Sequence, residues 1–309
     1  MILLVPVYVL AAYVANMLAP TVPQHSTGIE PTVVSFVGDM MWDRYIRAQA
    51  DSNGYNAILK PVSDMFASSS YIISNLEGPI TSYAPVADYR VQDQNHYRFT
   101  FATTVAKTLA DFGFGAVTLA NNHIMDFGES GVAQTTGRLL ENGVGYAGAP
   151  DDPYTPWHAD GGSVPLVLYA YDDWYANDVG ELEKRLRAES QDVFVVVFSH
   201  WGDDYEQEPN ASQETVARRF VDAGADLVIG SHTHVIGKKE QYKGVWIYYS
   251  LGNFVFDQYF SEAVRCGAVL HVTLVPGHSP VLTESFIELA SDGTTKPSAC
   301  ATVVPERTS

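Results

Sequence analysis

Apolar positions along this chain fall into two alternating rhythms. Short continuous runs rich in β-branched residues are separated by stretches with helical spacing. "TVVSFVG" (32–38) is the first such run, and its lack of polar alternation is that of a strand buried on both faces. A helical stretch follows to about Phe66. "YIISNLEG" (71–78) predicts a second strand, "TTVAKTLADFGF" (103–114) a helix with a glycine stop, and "GAVTLANNH" (115–123) a third strand running into polar residues. "GVAQTTGRLLENGV" (131–144) predicts a helix, "SVPLVLYAY" (163–171) a strand, and "VGELEKRLRAES" (179–190) a charged amphipathic helix. "QDVFVVVFSHWG" (191–202) is the strongest strand signal, followed by a helix over 212–225 that opens with Ser212 and Glu214 as its cap. "DLVIG", "GVWIYYSLGN" (244–253) and "GAVLHVTLVPG" (267–277) complete the series. Strands alternating with helices of about ten residues define an α/β domain, here over residues 32–290.

Three segments break the rhythm. The first 19 residues carry no charge and form a run long enough to cross a bilayer. With no positive residue before Arg44 and no clear cleavage site, they read as an uncleaved membrane anchor, with a secretory signal as the alternative. Residues 20–31 are a Pro-rich tether. The stretch 79–99 is polar, aromatic and long for a connection, as functional loops are. Residues 291–309 read as an irregular tail.

Charge narrows the partners. Eighteen basic residues against 36 acidic ones leave −18, which repels nucleic acid at long range. The two cysteines, Cys266 and Cys300, lack metal-ligand spacing; outside the cytoplasm they can form one disulfide, and inside it they are two thiols.

Candidate chemistry sits where the strands stop. The first strand ends in Gly38-Asp39, the second in Asn75-Leu76-Glu77, the third in Asn121-Asn122-His123. The long strand ends in Ser199-His200-Trp201-Gly202, and the next in "GSHTH" with His232 and His234. Open α/β sheets bind ligands beyond the carboxyl ends of their strands, so five such ends bring these groups into one crevice. Two carboxylates, three imidazoles and an amide oxygen form a mixed N/O set suited to Mn, Fe or Zn, with no thiolate to demand a softer metal.

The order Gly-Asp, Asn-Leu-Glu, Asn-Asn-His, His-Trp-Gly and Gly-x-His-x-His resembles the CapA family of poly-γ-glutamate capsule synthesis proteins, a branch of the calcineurin-like metallophosphoesterases. "GDMMWDR", "LANNHIMDFG", "FSHWGDDY" and "SLGNFVFD" carry the likeness, which runs from about Val34 to Asp257. It implies two β-sheets flanked by helices and a dinuclear metal centre or its remnant. Glu77 stands where that superfamily has a bridging aspartate. Asn122, His200 and His232 would hold one ion with it, Asp39 and His234 the other. His123 stands at the catalytic acid. Two departures matter: Asp39-Met40-Met41 replaces Asp-x-His, removing one imidazole, and Glu77 is one methylene longer than aspartate. The second ion position is therefore poorer.

The expected chemistry is hydrolysis or transfer by metal hydroxide at a phosphoryl or γ-glutamyl bond, since a divalent ion lowers the pKa of its water to about 7. His123 would protonate the leaving group. Arg44, Asn121 and Lys238, with Lys239 beside it, are candidate contacts for an anionic substrate, and Trp201, Tyr205 and Tyr259 candidate walls of the crevice. The resemblance implies an extracytoplasmic protein acting on an anionic polymer or a phosphate-bearing substrate, in company with capsule synthase subunits. A non-catalytic metal- and polymer-binding subunit and a general phosphoesterase are the alternatives.

Overall fold

The computed structural model describes residues 30–86, 97–159, 161–300 and 307–308. The expected N-terminal anchor, all but the end of the tether, the middle of the 79–99 loop and part of the C-terminal tail lie outside the described residues. No helix among the described residues is long and apolar enough to cross a membrane.

Two sheets stack face to face. The first contains β1 (Thr32–Met40), β2 (Tyr71–Leu76), β3 (Phe114–Thr118) and β4 (Gly145–Ala147) in parallel. The second is built on β6 (Leu166–Asp172), β7 (Phe194–His200), β8 (Leu227–Ser231) and β10 (Val245–Tyr248), also parallel. Antiparallel β5 (Trp157–His158) and β9 (Lys239–Tyr242) flank the second sheet. On the first sheet, β11 (Asn253–Val255) and β12 (Cys266–Leu274) both pair with β1, and β13 (Val281–Leu289) and β14 (Thr295–Ser298) continue outward from β12.

The central strands of both sheets are covered on both faces, which is why they read as unbroken apolar runs. Val34 and Phe36 of β1, with Ile73 and Ala116, pack against Leu168, Val196, Phe198 and Ile229 of the opposite sheet. Val37, Ile72 and Val117 face the other way, into α1 (Arg44–Asn53), α2 (Tyr55–Leu59), α3 (Thr104–Phe112) and α4 (Gly128–Glu141). On the far side, Val195, Val197 and Val228 pack under α5 (Val179–Leu186) and α6 (Ala211–Ala223). The result is the expected pair of sheets flanked by helices.

Several local expectations change. Helix α6 is capped by Asn210, not Ser212: the Asn210 side chain accepts from the amides of Ser212 and Gln213, and Gln213 reaches back to the Asn210 amide. That reciprocal pair satisfies donors the first helical turn cannot. The tail from residue 291 is not irregular throughout, because Asp292-Gly293 turns the chain and β14 pairs with β13. Cys266 and Cys300 form a disulfide across 34 residues of sequence and tie that tail to the start of β12.

Two glycines set how closely backbones meet at the carboxyl edge. A Cβ on Gly38 would lie 1.8 Å from the Gly252 carbonyl oxygen, and one on Gly230 would lie 1.9 Å from that of Tyr249. Any side chain there pushes a strand end, with its site residues, out of place. Gly230→Ala is expected to destabilise the fold by about 3 kcal/mol, as overpacking of a rigid interior does; chemical denaturation measures it. Replacing both cysteines by serine should cost about 3–4 kcal/mol if the cross-link acts through the unfolded chain, seen as a lower denaturation midpoint that reducing agent no longer shifts.

Candidate metal centre

The carboxyl ends of β1, β2, β3, β7 and β8 bring the predicted groups together at the join of the two sheets. Asp39 and Asn75 are register partners on β1 and β2, and His200 lies beside Ser231 across β7 and β8. Asp39, Glu77 and His200 are buried and offer ligand atoms within 4.8 Å of one another. His200 Nε2 lies 3.0 Å from Asn122 Oδ1 and 3.2 Å from His232 Nδ1. His234 Nε2 lies 3.7 Å from Glu77 Oε1.

Backbone strain collects here. Five non-glycine residues among those described have left-handed φ, and four of them, Arg44, Tyr205, His232 and His234, belong to this site. Such conformations cost about 1–3 kcal/mol each and persist only where surrounding contacts enforce them. At the histidine turn the enforcing contact is visible: the His232 amide donates to Asp39 Oδ2 at 3.0 Å.

Hydrogen bonds fix which ring atoms face the centre. Asn253 donates from Nδ2 to the carbonyls of His234 and Val264 and to Gln258 Oε1, so its Oδ1 accepts from His234 Nδ1 at 3.0 Å. His234 thereby presents Nε2 to Glu77. His200 Nδ1 lies 3.0 Å from Ser231 Oγ, which donates to the Ser199 carbonyl, and 3.1 Å from Asn75 Nδ2, which donates to Asp39 Oδ1; with its proton on Nδ1 the ring gives it to Ser231. In that tautomer His200 Nε2 is an acceptor, 3.0 Å from Asn122 Oδ1 and 3.2 Å from His232 Nδ1. A cation reconciles three such acceptors. Glu77 offers a carboxylate oxygen within 4.8 Å of a His200 ring nitrogen, and its Oε2 is buried and without a hydrogen bond. A buried carboxylate oxygen left so is costly, and a cation relieves that as well. The donor set therefore fits a divalent ion, held by Asn122, His200, His232 and Glu77.

The second position is weaker. Asp39 already accepts from Asn75 Nδ2 at 2.7 Å through Oδ1 and from His232 through Oδ2. Met41, two residues after Asp39, accepts the Asp43 amide on its sulfur and offers no imidazole. Of the predicted groups, Asp39, Glu77 and His234 remain to hold a second ion.

Electrostatics follow from burial. Loss of water pushes the Glu77 carboxyl well above the usual range, against the pull of His234. Burial pushes His200 well down, and the neighbouring His232 and His234 add to it; His232 is lowered by the same causes. His234 is the exception: burial lowers it, but Glu77 and Asp39 outweigh burial and raise it to about 9.

Beside this centre lies a cavity of about 270 Å³, walled by Arg44, Phe99, His123, Tyr205 and Phe256. His123 Nδ1 is 3.0 Å from Asp126 Oδ2 and its ring packs 4.3 Å from that of Phe99, which leaves Nε2 for the cavity. Arg44 lies between Phe99 and Phe256, at 5.0 and 5.6 Å from the ring centres, and pairs with buried Asp257. A larger cavity, about 580 Å³, opens at the other end of the strands, by Phe194, Val245 and Leu274, and none of the predicted site residues lines it.

Some predicted contacts are corrected. Asn121 is fully buried and donates to Asn75 Oδ1 and the Leu76 carbonyl, so it braces the site and is closed to substrate. Lys238 pairs with Glu208 at 2.5 Å and Lys239 with Glu284 at 2.8 Å; neither lines the site cavity. Trp201 is a core residue that donates to the Tyr249 carbonyl, and Tyr259 packs on Tyr45; of the three aromatics only Tyr205 faces the cavity. Sequence reading missed Asn75, whose two ends join Asp39, His200 and Asn121, and Asn253. Their signal was present in "NLEG" and "SLGN", but an amide after a strand looks the same whether it braces a site or a turn.

Residues 33–258 match the family of bacterial capsule synthesis proteins PGA_cap. The chain belongs to that family. It is 33% identical over 249 residues to the PGA biosynthesis protein CapA of Bacillus subtilis, covering 72% of this chain and 63% of that protein. It is 29% identical over 277 residues to the capsule biosynthesis protein CapA of Bacillus anthracis, covering 82% and 67%. The matched region thus spans about two thirds of those relatives' length. A structure of sulfate thiohydrolase SoxB from Thermus thermophilus with glycerol superposes with a TM-score of 0.45 at 12% identity, over 86% of this chain and 56% of that one. The family match spans every candidate ligand named above.

Because Glu77 and His234 both have raised pKa values, the metal-free pair keeps a proton through neutral pH. An ion must displace it, so affinity falls as pH falls. Titrations of Mn²⁺ or Zn²⁺ between about pH 6 and pH 9 should show Kd improving up to about tenfold per pH unit for each proton released, with heats that depend on the buffer's own ionisation enthalpy.

Proposed function

We propose that this chain is a divalent-metal protein of the cell envelope that acts in the synthesis, export or processing of poly-γ-glutamate or a related capsular polymer. Its reaction is hydrolysis or transfer at a phosphoryl or γ-glutamyl bond. The observation that carries this reading is the convergence of His200 and His232 with Asn122, which lines a cavity together with Glu77, whose buried Oε2 has no hydrogen bond, and His123. Kinship with the two Bacillus proteins supports the polymer, and the Cys266–Cys300 disulfide supports an oxidising compartment outside the cytoplasm. The apolar segment 1–19 would hold the protein to the membrane, where capsule synthase subunits are its expected partners.

An ion bound at this centre supplies Lewis acidity towards water and towards a phosphoryl or acyl oxygen. The chain's own groups do the rest. His123, oriented by Asp126 through Nδ1, holds a proton at Nε2 for the departing group. Arg44, clamped between two phenyl rings and by Asp257, gives the cavity a fixed positive wall for a substrate carboxylate or phosphate. Phe99 and Phe256 keep that wall dry, which strengthens the charge.

One observation favours the alternative, a metal- and polymer-binding subunit that performs no chemistry: Met41 and the two engaged oxygens of Asp39 leave the second ion position short of ligands. Elemental analysis separates these outcomes. One strongly held equivalent of transition metal, lost in His232→Ala, supports the depleted centre; no metal after incubation with Mn, Fe or Zn rejects the reading. His123→Ala should keep its metal and lower kcat on phosphodiester or γ-glutamyl amide substrates by about 10²–10⁴-fold. Unchanged polymer processing in that variant would assign the protein to binding.

A further inference from the structure

We infer that Asp204, on the loop after β7, is a positioning residue that sets the ring of His232 so that Nδ1 faces the ion. This rests on the reading that the centre binds a divalent metal. His232 can offer Nδ1 to a cation only if its proton sits on Nε2. Asp204 Oδ1 is the carboxylate that faces that nitrogen, 3.5 Å away. Metal-ligating histidines characteristically give their second N–H to such an oxygen, which fixes tautomer and ring orientation. His200 and His234 follow the same rule with neutral acceptors, Ser231 Oγ and Asn253 Oδ1. Asp204 completes it for the third imidazole.

The loop is built to hold it there. The Tyr205 amide donates to the Thr233 carbonyl at 2.8 Å, and the Lys238 amide donates to the Gln207 carbonyl at 2.8 Å, so this loop and the histidine turn are stitched on both sides of the contact. Tyr205 adopts φ 66° and His232 φ 86°, conformations that non-glycine residues hold only under constraint. Trp174 covers the His232 ring from the side, its centre 5.0 Å away, and is itself fixed because Asp172 accepts its backbone amide. The imidazole is therefore free mainly to flip or change tautomer, and Asp204 opposes both. Its side chain is 57% exposed, so replacing it leaves the core intact.

The test uses the full-length chain, with folding checked by circular dichroism. In the metal-free protein, long-range ¹H–¹⁵N spectra of labelled histidine should place the His232 proton on Nε2, and Asp204→Ala should move it towards Nδ1. Zn²⁺ titration of Asp204→Ala should give affinity about 10–100-fold weaker at unchanged stoichiometry. Asp204→Asn, whose amide oxygen still accepts from Nε2–H, should recover most of it. Equal Zn²⁺ affinity and the same tautomer in wild type and Asp204→Ala would overturn the inference while leaving the metal centre standing. Equal losses in the Ala and Asn variants with a lower stoichiometry would make Asp204 a direct ligand and also overturn it. If the wild type takes up no Zn²⁺, the metal reading fails with its own signature, and the tautomer comparison still decides whether Asp204 orients the ring.

Discussion

The carboxylate of Asp39 joins the two sheets. One oxygen accepts from Asn75 on β2 of the first sheet, and the other accepts from the backbone of His232, just past β8 of the second. The residue is fully buried. A charge placed there without partners would cost several kcal/mol, so its hydrogen bonds are a condition of the fold as well as of the site. They also set the left-handed turn from which His232 and His234 project. Once that turn is fixed, the three imidazoles and Glu77 meet, and the remaining contacts serve to hold each ring in one orientation.

That arrangement explains why the site is surrounded by amides. Asn75, Asn121, Asn122 and Asn253 each combine a donor and an acceptor and carry no charge, so they can link charged groups without adding to the cost of burial. Asn75 shows the logic best. Its oxygen accepts from Thr118 and Asn121, which leaves its nitrogen to face Asp39 and His200. A carboxylate in its place would repel Asp39. The acidic balance of the whole chain has little part in this, because most of its charges are solvated and screened. The one arginine on the cavity wall is held in an aromatic niche and paired with buried Asp257.

Much of the fold was legible in the sequence because its information is local. Strands buried on both faces must be apolar throughout, and helices of the covering layers must show one apolar stripe, so 32–38, 71–78 and 191–202 declared themselves. Short or half-exposed strands did not. β4, β5 and β9 have two to four residues, and β13 alternates over an exposed face, so neighbouring strands define them more than their own composition does. The candidate groups were also legible, since each stands at a strand end in an ordered series of motifs.

What the sequence by itself determined is therefore which residue types arrive at the carboxyl ends of the strands, and that they suit a divalent ion. What only the tertiary structure decided is which of them face one another. Asn121 and Asn122 are adjacent in sequence, yet one braces β2 and the other faces the ion position. Lys238 follows the histidine turn by four residues yet spends its charge on Glu208. Arg44, a candidate anion contact within "GDMMWDR", proves to be clamped between rings contributed from sequence distances of 55 and 212 residues. The physical reason is that a side chain's role depends on partners brought near by folding, and hydrogen-bond direction is set in three dimensions, where periodicity and spacing carry no information.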